Sequence, residues 1–198
     1  MAQNRLFWPK NDQKTSLLDL DILEKPPCIL SRDCPPSCSC STPKNNLESY
    51  GVIADCSNRD LSTVPKGLSV FTIELNLSNN NISFVPAKVF TQYHFLRKLD
   101  LANNRIFDFD QMALDGLTRL ETLNISNNRI RNFSYSQNNL FFPVQLLQNL
   151  DMSNNQLDAI EPGMFVPTRS LVKLDLSNNR IERLPSREFH RLSLLAEL

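Results

Sequence analysis

From residue 72 onward, one arrangement of apolar and polar positions keeps returning. Thr72-x-x-Leu75-x-Leu77-x-x-Asn80-x-Ile82 recurs as Leu96, Leu99, Leu101, Asn104 and Ile106, then as Leu120, Leu123, Ile125, Asn128 and Ile130. It returns again as Leu147, Leu150, Met152, Asn155 and Leu157, and as Leu171, Leu174, Leu176, Asn179 and Ile181. The starting points 72, 96, 120, 147, 171 and 195 lie 24, 24, 27, 24 and 24 residues apart, with Thr72 the one departure from the apolar frame. Alternation at each centre predicts a short strand that buries Leu75 and Leu77 and turns Glu74, Asn76 and Ser78 to solvent. One unit cannot bury its own leucines, so the units must stack and share an elongated core, with parallel strands about 4.8 Å apart on the concave side of an arc. Asn80, Asn104, Asn128, Asn155 and Asn179 follow the strands, where the chain turns away and backbone groups lose their ladder partners. An amide that both donates and accepts satisfies such groups in adjacent coils, so this column reads as structural. Farther along each unit, Val85, Phe109, Phe133, Ile160 and Leu184, then Phe90, Leu114, Phe141, Phe165 and Phe189, predict an aromatic spine filling the convex side. The three extra residues of the third unit fall in the polar stretch 135–139.

Such a stack needs its ends covered, because a terminal coil exposes leucines and unpaired strand edges. At the N-terminal end the chain places Cys34-x3-Cys38-x-Cys40-x15-Cys56, after which no cysteine follows. Cys38-Ser39-Cys40 and the stretch 50–56 read as two arms of a hairpin. Four clustered cysteines imply either a disulfide-stapled cap, for which three pairings exist, or a zinc site. Zinc is disfavoured because a four-thiolate site ordinarily presents two close Cys pairs, and here Cys56 stands alone. At the other end, Leu195-Ala196-Glu197-Leu198 opens a sixth unit, which reads as a cut through a longer solenoid.

The frame L-x-x-L-x-L-x-x-N-x-L resembles the leucine-rich repeat, and the cysteine block resembles the N-terminal cap of extracellular members of that family. The resemblance covers residues 34–198. It implies an α/β repeat solenoid: short parallel strands on the concave face, irregular or 3-10 return segments on the convex side, residues 34–66 as the cap and 67–198 as the repeats. It also implies the pairings Cys34 with Cys40 and Cys38 with Cys56. Residues 1–33, including Cys28, match nothing and read as a disordered lead segment in which 16–24 form a short helix at most.

Composition narrows the class further. Leu supplies 31 residues and Asn 22, whereas Gly supplies only 4, which argues against nucleotide folds whose phosphate turns need glycine. With 21 basic and 21 acidic residues the formal net charge is zero, which gives no general electrostatic case for nucleic acid. No apolar run approaches the roughly 18 residues that cross a bilayer, and the first 30 lack a secretory signal. His94 and His190 lie coils apart in return segments, and neither a Gly-rich phosphate loop nor a catalytic motif is present. We therefore expect no enzyme activity, no cofactor and no metal.

The outward strand positions, from Glu74, Asn76, Ser78 and Asn79 to Lys173, Asp175, Ser177 and Asn178, contain neither aromatic residues nor Arg, the usual anchors of binding hot spots. Asp100, Asp151 and Asp175, flanked by Lys98 and Lys173, form the candidate partner-binding patch on this face. Four sequons, at Asn76, Asn81, Asn124 and Asn132, add candidate glycosylation sites. Asn76 and Asn124 fall within strands, so Asn81 and Asn132 are the better placed. The resemblance implies an extracellular or cell-surface protein-binding segment, like the ectodomains of Toll-like and neuronal adhesion receptors. Secreted Slit-like or proteoglycan ligands and peroxidasin-like enzymes share the same module. The expected partner is an extracellular protein on the concave face or a flank, without membrane contact by this segment.

Overall fold

The computed structural model describes residues 34–43, 51–133, 140–184 and 188–198. The lead segment with Cys28, the hairpin tip at 44–50 and the polar stretch at 135–139 lie outside the described residues. Strands β1 (Ser39–Ser41), β2 (Val52–Asp55), β3 (Thr72–Asn76), β4 (Phe84–Val85), β5 (Lys98–Asp100), β6 (Asp108–Phe109), β7 (Thr122–Asn124), β8 (Asn149–Asp151) and β9 (Lys173–Asp175) follow in chain order. They form a seven-stranded sheet ordered β1-β2-β3-β5-β7-β8-β9 and a small β4-β6 pair. Only β1 runs antiparallel, against β2; from β2 onward every pair is parallel. The described return segments are turns, the β4-β6 pair and one 3-10 turn at Glu188–Arg191, with no α-helix among them.

Register follows the sequence frame. Leu75, Leu99, Leu123, Leu150 and Leu174 stand opposite one another across neighbouring strands and are buried. Each fully buried aliphatic side chain contributes roughly 1.5–3 kcal/mol, so this column and the one formed by Leu77, Leu101, Ile125 and Met152 carry much of the stack. Thr72 fits the leucine position because its hydroxyl donates to Ser69 O at 2.6 Å, leaving no buried polar atom unpaired there. On the return side Phe109, Phe133, Phe141, Phe165 and Phe189 form a continuous run of ring contacts with centroids 5.8–6.2 Å apart. Leu184, expected in the spine, is instead 50% exposed and lines an open cavity with Leu176, Ile181 and Leu198.

The turn after each strand is built from the S-N-N or A-N-N sequence. Asn79, Asn103, Asn127, Asn154 and Asn178 take φ between 53° and 56°, and Asn58 in the cap does the same. Asn is the non-glycine residue that most readily enters this left-handed region, which is how so glycine-poor a chain closes six turns. The next Asn turns inward. Asn128 Nδ2 donates to Leu101 O in the preceding coil (3.0 Å) and to Ile125 O in its own (3.1 Å), while its Oδ1 accepts from Ile106 N (2.9 Å). Asn104, Asn155 and Asn179 repeat the pattern. Asn80 extends it into the cap, bonding Cys56 O and accepting from Arg59 N and Leu61 N.

The cap joins Cys34 to Cys40 and Cys38 to Cys56, with Cα–Cα separations of 5.9 and 4.2 Å. Cys56 is fully buried against the first coil, so the second bond fastens the β1-β2 hairpin to the core.

Candidate protein-binding surface

The open face of the sheet is set by side chains alternating with the buried leucines. Asp100 Oδ1 accepts from Ala102 N (2.9 Å), Asp151 from Ser153 N (2.9 Å) and Asp175 from Ser177 N (2.9 Å). Asn76 and Asn124 do the same toward Ser78 and Ser126, and Asp55 toward Ser57 in the cap. Each is a local side-chain turn of the kind short Asp and Asn favour. That turn bends the chain inward one residue earlier than strict alternation predicts. Ser78, Ala102, Ser126 and Ser153, expected on the solvent face, are therefore buried, at 7, 4, 4 and 6% exposure. Small residues occupy this column because the bend leaves little room.

The candidate patch is brought together only in part. Asp151 and Asp175 are register neighbours, but Asn124 separates them from Asp100, and Lys98 and Lys173 lie on strands three apart. Lys98 pairs with Glu74 and Lys173 with Glu197, each at 2.8 Å. Both pairs are well exposed, so they contribute little to stability, yet they occupy the charges a partner would need. Burial pushes the Asp100 carboxyl above its ordinary value; its bond from Ala102 opposes this, and the charge of Asp151 adds to it.

Residue types that anchor interfaces sit on the two flanks instead. Ahead of β3 and β5, on the leading flank, exposed Phe71 and Phe95 stack with centroids 5.9 Å apart, and the Arg119 guanidinium lies 5.0 Å from the Phe95 ring centre. Leu146, exposed as well, continues this column four residues ahead of the central leucine of its coil. After the turn, on the trailing flank, exposed Phe84 and Phe107 stack at 6.3 Å. Beside them a groove of about 380 Å³ is lined by Phe107, Asp108, Arg129, Arg131, Asn132 and Gln156. Sequence reasoning missed both stacks because it examined only outward strand positions. For Phe71 and Phe95 the signal was a second column, four residues before each central leucine, that the apolar frame does not require; Phe84 and Phe107 belong to no such column.

The sequons divide in the same way. Asn76 and Asn124 end strands on the open face, with Oδ1 engaged in the turns above. Asn81 and exposed Asn132 lie on the trailing flank, Asn81 with Nδ2 3.4 Å from Asp60 Oδ1. His94 Nδ1 is 3.2 Å from Gly116 O, and His190 lies in the 3-10 turn. Among the described residues no group of three or more His, Cys, Asp or Glu is arranged to hold a metal ion.

A disulfide-closed cap, register-matched parallel strands and an inter-coil asparagine ladder define a class, and the chain belongs to the leucine-rich repeat family. That family matches at residues 73–130 and 145–198, and a further repeat description matches 119–143. Leucine-rich repeat-containing G-protein coupled receptor 5 of Xenopus tropicalis is 43% identical over 70 residues, covering 35% of this chain and 7% of the receptor. Leucine-rich repeat-containing protein 3 of Danio rerio is 38% identical over 68 residues, covering 34% of this chain and 24% of its own length. Among solved structures, a TLR13-ssRNA13 complex superposes with a TM-score of 0.61 at 27% identity, over 77% of this chain and 21% of that one. The chain thus spans a minor part of the relatives it matches. The disulfides fit an extracellular location, and among the described residues no helix is long and apolar enough to cross a membrane.

Proposed function

We propose that this chain is a protein-binding segment of a cell-surface leucine-rich repeat receptor ectodomain, a recognition module rather than an enzyme. The receptor relatives and the disulfide-closed cap support the setting. The observation that carries the binding role is where satisfied and unsatisfied groups lie. On the open face the Asp and Asn oxygens accept bonds from the chain itself and both lysines are paired. On the leading flank Phe71 and Phe95 present stacked rings to solvent with Arg119 beside them, and large aromatics with Arg are the residues most enriched among interface anchors. The leading flank is thus the docking surface, and the partner is a protein offering apolar side chains and a carboxylate for Arg119.

The test is binding of the fluorescently labelled, oxidised chain to living cells. Replacing Phe71 and Phe95 by Ser and Arg119 by Glu is expected to weaken binding by roughly tenfold or more, the scale of losing interface anchors. K98E with K173E, on the open face, is expected to leave it unchanged. The reverse pattern, loss on the open face and none on the flank, contradicts the assignment.

A further inference from the structure

The trailing-flank groove has the chemistry of a sugar seat, and it contains an asparagine that begins a sequon. Phe107 is 57% exposed and its ring stacks on Phe84, leaving apolar area at the groove wall. Arg129 and Arg131 stand along the same groove and form no ion pair among the described residues; Arg131 holds Gln156 through its Nε at 3.3 Å. Asp108, which also lines the groove, accepts from Phe109 N through Oδ1 at 2.8 Å. A pyranose ring has an apolar C–H face that packs on an aromatic ring and a rim of hydroxyls and acetamide that needs donors and acceptors. An apolar wall with a few convergent polar groups is what such a ligand requires, and about 380 Å³ falls within the range of small-ligand sites.

We propose that Asn132 carries an N-linked glycan whose first N-acetylglucosamine seats on Phe107 in this groove, held by Arg129, Arg131 and Asp108. Attachment joins Asn132 Nδ2 to the anomeric carbon of a lipid-pyrophosphate-linked oligosaccharide. The carbon–oxygen bond to the pyrophosphate breaks, the pyrophosphate leaves with the electron pair, and Nδ2 gives up one proton; nothing is oxidised or reduced. The glycan clothes the trailing flank and leaves the Phe71–Phe95 stack bare, so the inference rests on the extracellular reading and sharpens it.

The experiment passes the full chain, behind a cleavable leader, through the secretory pathway of cultured cells. It maps disulfides and N-glycans by mass spectrometry, then times removal of each glycan from the folded protein by a peptide-N-glycosidase. Asn132 is expected to be occupied and to lose its glycan slowly. F107S is expected to keep occupancy but speed release at Asn132 by about fivefold, with release at Asn81 unchanged, the factor expected for losing one ring contact. An unmodified Asn132 overturns the proposal, as does an occupied Asn132 whose release is insensitive to F107S. An oxidised cap without a glycan on Asn132 leaves the extracellular reading standing, whereas a secreted chain with reduced cysteines removes both.

Discussion

In each S-N-N or A-N-N turn, two adjacent asparagines with identical side chains do unlike work. The first supplies backbone conformation, entering the left-handed region at Asn79, Asn103, Asn127, Asn154 and Asn178. The second supplies an amide to the core. Position decides the role, because one Asn precedes the inward turn and the other completes it. The carboxylates three residues before the first Asn follow the same logic, as Asp100, Asp151 and Asp175 each accept a backbone N–H. Asp100 is the half-buried member whose carboxyl is pushed up by burial. Its protonated form is therefore favoured in the folded state, and its charge at neutral pH costs stability that returns as pH falls through the raised folded value. Asp100→Asn keeps the acceptor without the charge, as Asn76 and Asn124 already do, and creates no sequon because Ala102 follows. It is expected to raise the thermal midpoint at pH 7, with the gain shrinking as pH falls into the carboxylate range. Asp100→Ala removes the charge but also the acceptor, and is expected to lie about 1 kcal/mol below Asp100→Asn at either pH. A midpoint for Asp100→Asn below that of the wild type at pH 7 contradicts this account.

Coils communicate mainly through elements that repeat from one to the next. Each ladder Asn ties two coils and shares its carbonyl acceptors with the next ladder Asn, so removing one leaves a buried N–H of the preceding coil without an acceptor and weakens the carbonyl contacts in both. Asn128→Ala leaves Ile106 N without its acceptor and takes one of two donors from Leu101 O and Ile125 O, which keep Asn104 and Asn155, and is expected to cost about 2 kcal/mol, within the range for a buried unsatisfied group. Asn179 makes equivalent bonds but is only half-buried, so water replaces them and Asn179→Ala is expected to cost about 1 kcal/mol. Urea titration followed by circular dichroism measures the difference, and equal losses contradict the inter-coil role of burial. The ladder was legible in the sequence because its spacing is rigid and only one residue type serves it. The buried Ser and Ala column was not, because alternation assumes the strand runs on, whereas the turn at Asp100 and its counterparts ends it one residue sooner.

Across the whole molecule, repetition fixes the core and leaves the flanks free to vary, which is why the fold was readable and the proposed binding flank was not. Every coil supplies the same leucines, but only the first two supply Phe71 and Phe95, and only the third supplies Arg119. Such residues share a position, four before the central leucine, but the residue type there changes from coil to coil, and their exposure depends on where the coil places them rather than on their hydrophobicity. The charges of Lys98, Asp100, Asp151, Lys173 and Asp175 are legible in the sequence, whereas the hydrogen bonds and ion pairs that occupy them exist only in three dimensions. The central claim, an extracellular repeat stack closed by an oxidised cap, is tested most directly by trapping thiols in the native protein with an alkylating agent at the moment of lysis and mapping the peptides without reduction. The account predicts Cys34 linked to Cys40 and Cys38 linked to Cys56. Alkylation of all four as free thiols would contradict it.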